Sequence, residues 1–352
     1  WFHWAQLMLL TVLLILGAAF AVRKIGGSGS AQWAIVVLGL VFVVSVQLTL
    51  PNSNPLRAAT GGSVESWLAV IGSGGFLGAY FIGVKHLKNR IRKKSDTAPK
   101  SDKITDSELE RYARHIVLRE VGGQGQKKLR KARVLVVGAG GLGSPVLQYL
   151  TAAGVGTIGV IDDDEVSASN LQRQVLFTED DVDMAKVFAA QAALSRLNPF
   201  VEVLPYNRKF TAEIGADLAS EFDLVLDGTD TFAVRAVVNR ACVTAGKPLI
   251  SGAIGQWEGQ VTVFDPAKGN PCYACLFPNE PSDNLAPSCT EAGVIGALPG
   301  IIGSIMASEA IKEIVGAGQS LRGELLIFDA LYGESRKIKI KRRTECEVCA
   351  GD

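Results

Sequence analysis

Charge is nearly absent from the first 84 residues and frequent afterwards, and this break organises the chain. Three apolar stretches, 5–22, 33–50 and 67–84, each run about 18 residues without an Asp, Glu, Lys or Arg, near the lower limit for a helix that crosses a bilayer. Arg23-Lys24 with the glycines after them, and Pro51 to Pro55, supply the intervening loop signals. Lys85, Lys88, Arg90, Arg92, Lys93 and Lys94 follow the third stretch directly. Basic residues collect on the cytoplasmic side of membrane helices. The pattern therefore predicts a multi-pass membrane anchor over 1–84, a basic cytoplasmic linker over 85–104 and a cytoplasmic domain over 105–352. The stretches carry no ionisable residue of the kind transport requires, so an anchor is expected rather than a transporter. Gly74 and Gly78 form a small-residue pair suited to helix packing.

From residue 105 the pattern alternates. Thr105 to Glu120 is helical in composition and opens with a capping box, Thr105-x-x-Glu108. Val134 to Val137 is a short β-branched run of the kind buried in a parallel sheet. Gly138, Gly140 and Gly143 then complete G-x-G-x-x-G, and Ser144 to Ala153 reads as a helix. Strand, glycine turn and helix in this order make a nucleotide-binding unit, with backbone N–H groups facing a phosphate. Thr157 to Ile161 is a second strand ending in Asp162, where an acid reaches a ribose hydroxyl. Met184 to Leu197 is again helical and carries Lys186, while Val201–Leu204 and Phe222–Leu226 read as strands, the latter leading into Asp227-Gly228-Thr229-Asp230. Further strands are expected at Leu249–Gly252 and Gly259–Phe264, a helix over Pro299–Ile314, and a terminal hairpin from Glu324–Phe328 and Arg336–Ile340. Strands alternating with helices predict an α/β fold, a doubly wound Rossmann-like sheet with ligands at the strand carboxyl ends. On this pattern alone NAD fits the glycine turn as well as ATP does.

Net charge is +1, so nothing global points to nucleic acid. All six cysteines lie beyond residue 241, which argues against a secreted disulfide framework. Cys272-x-x-Cys275 and Cys346-x-x-Cys349 have the spacing of a closed zinc site, with disulfides disfavoured by the expected compartment. Cys242 reads as a small core residue within a helix, Val237–Ala245. Cys289 sits in a polar stretch just before an expected helix start, and the sequence leaves it open between a reactive thiolate and an inert loop residue.

With these residues in hand, the chain from about Ser107 to Gly351 resembles the ubiquitin-activating-enzyme-like superfamily. Within it, it is similar to the ThiF/MoeB adenylyltransferases, which activate sulfur-carrier proteins for molybdopterin or thiamine synthesis. The motifs that carry the resemblance are Arg111-Tyr112-x-Arg114-x-Ile116, the glycine turn, Asp162-x-Asp164, Asn170-Leu171-Gln172-Arg173-Gln174, Lys186, Asp227-x-Thr229-Asp230 and both cysteine pairs. The resemblance implies ATP on Gly138–Gly143 with Gly141 near the phosphates and Asp162 on the ribose. It also implies Asn170, Arg173 and Lys186 on the triphosphate, Mg²⁺ on Asp230 and Zn²⁺ on the four cysteines. Arg114 is expected to reach the neighbouring subunit's site in a homodimer, and Cys289 to take an acyl group or sulfur in some members. The implied reaction is adenylation of the C-terminal glycine of a ubiquitin-like sulfur carrier ending in Gly-Gly. A nicotinamide-dependent oxidoreductase, a bacterial ubiquitin-like conjugation system and a non-enzymatic nucleotide sensor are the alternatives. Arg173, Lys186 and Asp230 favour MgATP over a hydride donor.

Overall fold

Strand β1, Arg133–Val137, is buried on both faces, and its side chains alternate between two cores. Val134 and Val136 join one core with the helices Gly143–Ala153, Lys186–Leu197 and Ala297–Val315, whereas Leu135 and Val137 join the other with Ala212–Ser220 and Phe232–Ala245. A strand that contributes to two cores needs an uninterrupted apolar run. The computed structural model describes residues 2–24, 29–51, 53–61, 63–73, 80, 104–278 and 293–350. The chain forms two units, Trp1–Asp102 and Lys103–Asp352.

In the second unit, β2 (Thr157–Asp162), β3 (Glu202–Asn207), β4 (Leu224–Asp227), β5 (Leu249–Ile254), β6 (Glu258–Phe264), β7 (Glu324–Asp329) and β8 (Glu334–Lys339) complete one sheet. Its order is β3-β2-β1-β4-β5-β6-β7-β8. The first five strands in that order are parallel and the rest antiparallel. The helices cover both faces of the parallel half, which makes it doubly wound. Connections leave β1 toward β2 on one side and reach β4 on the other, so the crevice for a ligand opens beyond the carboxyl end of β1. Register brings Val137 level with Ile161 and Asp227, so the loops after three strands meet at one height. The helix Asp106–Ile116 starts at the expected capping box, with the Glu108 amide donating to Thr105 Oγ1 at 3.3 Å and the Thr105 amide to Glu108 Oε2 at 2.9 Å.

The first unit overturns the anchor reading. Helices Phe2–Lys24 and Gly29–Thr49 are followed by a short helix, Pro55–Thr60, capped by Asn54. Gln47 is buried there and donates to Thr60 Oγ1 at 2.8 Å, while the Trp67 indole donates to the Gly61 carbonyl at 3.0 Å. This polar knot joins the second and third apolar stretches. Among the described residues no helix is long and apolar enough to cross a membrane. The expectation of three spanning helices, and the cytoplasmic placement derived from it, are therefore withdrawn. Gly74, Gly78, Cys289 and the basic stretch 85–103 lie outside the described residues.

Candidate active site

The glycine turn is built from contacts that exclude a side chain. Gly138 leaves β1 with φ +92°, a region that favours glycine. A Cβ on Gly143 would lie 1.9 Å from the Gly138 carbonyl oxygen, so this helix starts as close to the strand end as backbone allows. The Gly138 amide donates to the Ile161 carbonyl and the Gly228 amide to that of Val137, both at 2.9 Å, binding the β1, β2 and β4 exits together.

Beyond these exits opens a cleft of about 1060 Å³. Gly138, Gly140, Gly141, Asp162, Asn170, Arg173, Lys186 and Asp230 all line it. Asp162 Oδ2 accepts from the Ala139 amide at 2.7 Å and Oδ1 from the Asp164 amide at 2.8 Å, so the acid braces the turn as well as facing the cleft. Burial pushes the Asp162 carboxyl above the usual carboxylate range, against the Lys186 cation and the two amides that act to lower it. Lys186 heads its helix and is buried, its ammonium 2.7 Å from Asp164 Oδ2. Arg173 lies one turn beyond Asn170 and donates to Asn170 Oδ1 at 2.7 Å and to the Ser169 carbonyl at 3.3 Å. Asp230 is exposed at the cleft wall. The loop that carries it is ordered by buried Asp227, whose Oδ1 accepts from the Thr229 amide at 3.0 Å and its hydroxyl at 2.7 Å.

Not every expected residue gathers here. Gly143 packs behind the turn, and Arg114, exposed on helix Asp106–Ile116, lines a separate hollow of about 560 Å³ with Tyr149, Ser304 and Ser308. The four paired cysteines lie elsewhere and converge. Cys272 and Cys275 follow β6, Cys346 and Cys349 follow β8, and all four are buried with their sulfurs within 4.8 Å of one another. Sulfur–sulfur distances of 3.9, 3.7 and 3.5 Å match the ~3.8 Å edge of a tetrahedron with Zn–S near 2.3 Å. The Arg343 amide points at Cys275 Sγ at 3.4 Å, a donor suited to a thiolate. Burial acts to raise the Cys346 thiol, yet the Val348 and Cys349 amides together with the Cys272 and Cys275 thiols outweigh it and bring its pKa down to about 7. The donor set fits zinc. Cys242 is a buried core residue of helix Phe232–Ala245, and burial raises its thiol pKa.

Arg235 escapes a motif reading. It is buried, donates to the Gly252 carbonyl at 2.7 Å and to that of Thr229, and so ties the Asp230 loop to β5. The available signal is a cation on the apolar stripe of its own helix, three and seven residues before Val238 and Cys242.

A doubly wound sheet with a glycine turn, and with Arg173, Lys186, Asp162 and Asp230 among the residues around its switch-point cleft, defines a Rossmann-like nucleotide-binding protein. The ThiF family model matches residues 112–348, and the chain belongs to the ThiF family. It is 49% identical over 252 residues to the sulfur carrier protein adenylyltransferase of Thermus thermophilus, covering 70% of this chain and 93% of that one. It is 47% identical over 247 residues to the adenylyltransferase and sulfurtransferase MOCS3 of Bos taurus, covering 70% of this chain and 54% of that one. The chain thus spans about half the length of the latter relative. Among solved structures, E. coli MccB with ATP matches with a TM-score of 0.61 and 24% identity, over 75% of this chain and 81% of that one, a likeness of fold.

Proposed function

We propose that this chain is an ATP-dependent adenylyltransferase that activates the C-terminal glycine of a small ubiquitin-like sulfur-carrier protein. The observation that carries the reading is the assembly of Gly138, Gly140, Gly141, Asp162, Asn170, Arg173, Lys186 and Asp230 around one cleft. The 49% identity to a sulfur carrier protein adenylyltransferase over most of that relative's length supports it.

In this reading the glycine turn receives the phosphates on backbone N–H groups, and Asp162 accepts from the ribose. A carboxylate oxygen of the carrier attacks the α-phosphorus. The bond from that phosphorus to the bridging oxygen of the β-phosphate breaks, leaving an acyl-adenylate and pyrophosphate. Two anions must meet, and negative charge accumulates on the leaving group. Arg173 and Lys186 offset both, which is the main barrier to this reaction. The carboxylate is ionised near neutral pH, so no general base is needed. Asp230 would hold Mg²⁺, which supplies further charge neutralisation on the triphosphate. The four cysteines would hold Zn²⁺ as a structural tie between the chain's last residues and the exit of β6. Arg114, outside the cleft, would serve a second copy's site in a homodimer. The carrier is identified by its chemistry, a flexible tail ending in Gly-Gly.

The deciding experiment is ATP–pyrophosphate exchange with candidate carriers. Exchange that depends on a carrier with an intact Gly-Gly end is expected. No exchange with any such carrier overturns the reading.

A further inference from the structure

Gln174 is among the polar groups of the cleft that have no task in this mechanism. Gln174 closes the turn that begins at Asn170, its amide N–H donating to the Asn170 carbonyl at 3.0 Å, so the turn that aims Arg173 also aims Gln174. Its side chain is 4% exposed and lines the cleft. Among the described residues its Oε1 is buried without a hydrogen-bond partner. Its Nε2 faces the glycine turn. A Cβ added to Gly140 would meet that nitrogen at 3.7 Å and no other atom within 4 Å. A buried amide oxygen left unpaired costs free energy that an apolar side chain of the same shape avoids. Where such a group borders a ligand cleft, the ligand is the natural source of its missing partner.

We infer that Gln174 is a substrate-contacting residue of the adenylation step, its amide completed only by the bound reactants. This rests on the adenylation reading above. Nε2, beside Gly140, donates to a non-bridging oxygen of the α-phosphate. Oε1 accepts from the last peptide N–H of the carrier tail, whose nitrogen is two bonds from the carbon of the attacking carboxylate. One amide then holds electrophile and nucleophile together, a role that Arg173 and Lys186, which only donate, do not fill. Charge on the equatorial oxygens of the α-phosphorus grows as the attacking oxygen closes in, so the Nε2 contact strengthens in the transition state. Such a contact acts on kcat rather than KM.

The test uses the full chain with MgATP and a carrier that supports exchange. Gln174→Met replaces the amide by an apolar chain of similar shape, and Gln174→Asn withdraws it by one methylene. Both are expected to lower kcat of exchange about 100-fold with KM for ATP within about threefold. Without ligand, Gln174→Met should unfold at or above the wild-type temperature, because the orphaned oxygen is gone. Wild-type kcat in either variant overturns the inference. So does a lowered unfolding temperature of Gln174→Met combined with wild-type kcat in Gln174→Asn, which marks a structural amide. Absence of exchange in the wild-type chain removes the adenylation reading and this inference with it. Robust wild-type exchange with indifferent variants removes the inference alone.

Discussion

The Lys186 ammonium sits 2.7 Å from Asp164 Oδ2, and the lysine side chain is 5% exposed whereas the aspartate is 65% exposed. The backbone repeats the link, since the Lys186 amide donates to the Asp164 carbonyl at 2.9 Å. Without nucleotide, a buried cation is thus balanced by a solvated acid that water can take back when a triphosphate arrives. The two partners should differ on removal. Lys186→Ala leaves Asp164 hydrated, so stability should change by less than about 1 kcal/mol, while exchange activity falls by orders of magnitude. Asp164→Ala removes the nearest counter-charge of the buried ammonium, leaving only the more distant Asp162, and should cost on the order of 1–2 kcal/mol. MgATP should then stabilise Asp164→Ala more than it stabilises the wild type, because the triphosphate replaces the lost counter-charge. Thermal unfolding of both variants with and without MgATP checks this. Equal destabilisation by the two substitutions would contradict the asymmetry.

Gly143→Ala should be the more damaging of two alanine substitutions in the turn. Its Cβ would meet the Gly138 carbonyl oxygen at 1.9 Å, backbone against backbone, whereas a Cβ on Gly140 meets only Gln174 Nε2 at 3.7 Å. Forcing the first contact shifts the helix start, at a cost of roughly 1–3 kcal/mol or more. Gly140→Ala should keep wild-type stability and weaken only nucleotide binding. Urea unfolding paired with a nucleotide titration separates the two outcomes.

Arg173→Ala and Asp230→Asn should act on the chemistry proposed above and leave the fold alone. Arg173 rests on Asn170 Oδ1 and the Ser169 carbonyl, and Asp230 is exposed. Each substitution should lower exchange about 10²- to 10³-fold while changing stability by under about 1 kcal/mol. For Asp230→Asn, the Mg²⁺ concentration needed for half-maximal exchange should also rise. Near-normal turnover in both variants would place the phosphates elsewhere.

How well each part of this site can be read from sequence follows from what holds it. β1 is legible because burial on two faces leaves no polar position between Val134 and Val137. That the turn, Asp162, Arg173, Lys186 and Asp230 line one cleft is legible because short motifs fix each of them on a segment that borders the sheet's switch point. Helix Gly122–Lys131 is not legible, since its sequence has three glycines and few apolar residues. Tertiary bonds hold it instead, among them Gln126 Nε2 to the Ala153 carbonyl at 2.8 Å. Arg235 shows in sequence only as a cation on an apolar helix stripe, and Gln174 only as the last residue of a motif, because what marks both is burial and, for Arg235, partners brought from elsewhere. The uncharged N-terminal stretches mislead for a related reason. Hydropathy registers composition, but not the turn at which Gln47, Thr60, Gly61 and Trp67 close on one another.

Zinc should copurify with the chain at about one equivalent. The four sulfurs already lie at tetrahedral spacing, and Arg342 fastens the loop by donating to the carbonyls of Pro266 and Cys349. Cys272→Ser should lose the metal and loosen the residues after β8, seen as earlier proteolysis at the carboxyl end. Cys242→Ser should keep full zinc while losing core stability, because its buried sulfur packs among apolar neighbours and faces no metal. Metal analysis of the two variants provides the contrast. Equal zinc in both would remove the site.

Arg114 offers a test of assembly that neither variant alone provides. It is exposed and lines a hollow with Tyr149, Ser304 and Ser308, apart from the cleft that holds Lys186. On the proposed reading, its contribution to catalysis is to a second chain's site. Arg114→Ala and Lys186→Ala should each be inactive as homodimers. Unfolded together at equal amounts and refolded, they should form heterodimers in half of the pairs. Each heterodimer then contains one site with both residues intact and one with neither. Activity should return to about a quarter of wild type on this statistical basis. The yield of refolded protein, measured on the wild type taken through the same cycle, corrects for losses. No recovery while heterodimers are present would place Arg114 in its own chain's site or outside catalysis altogether.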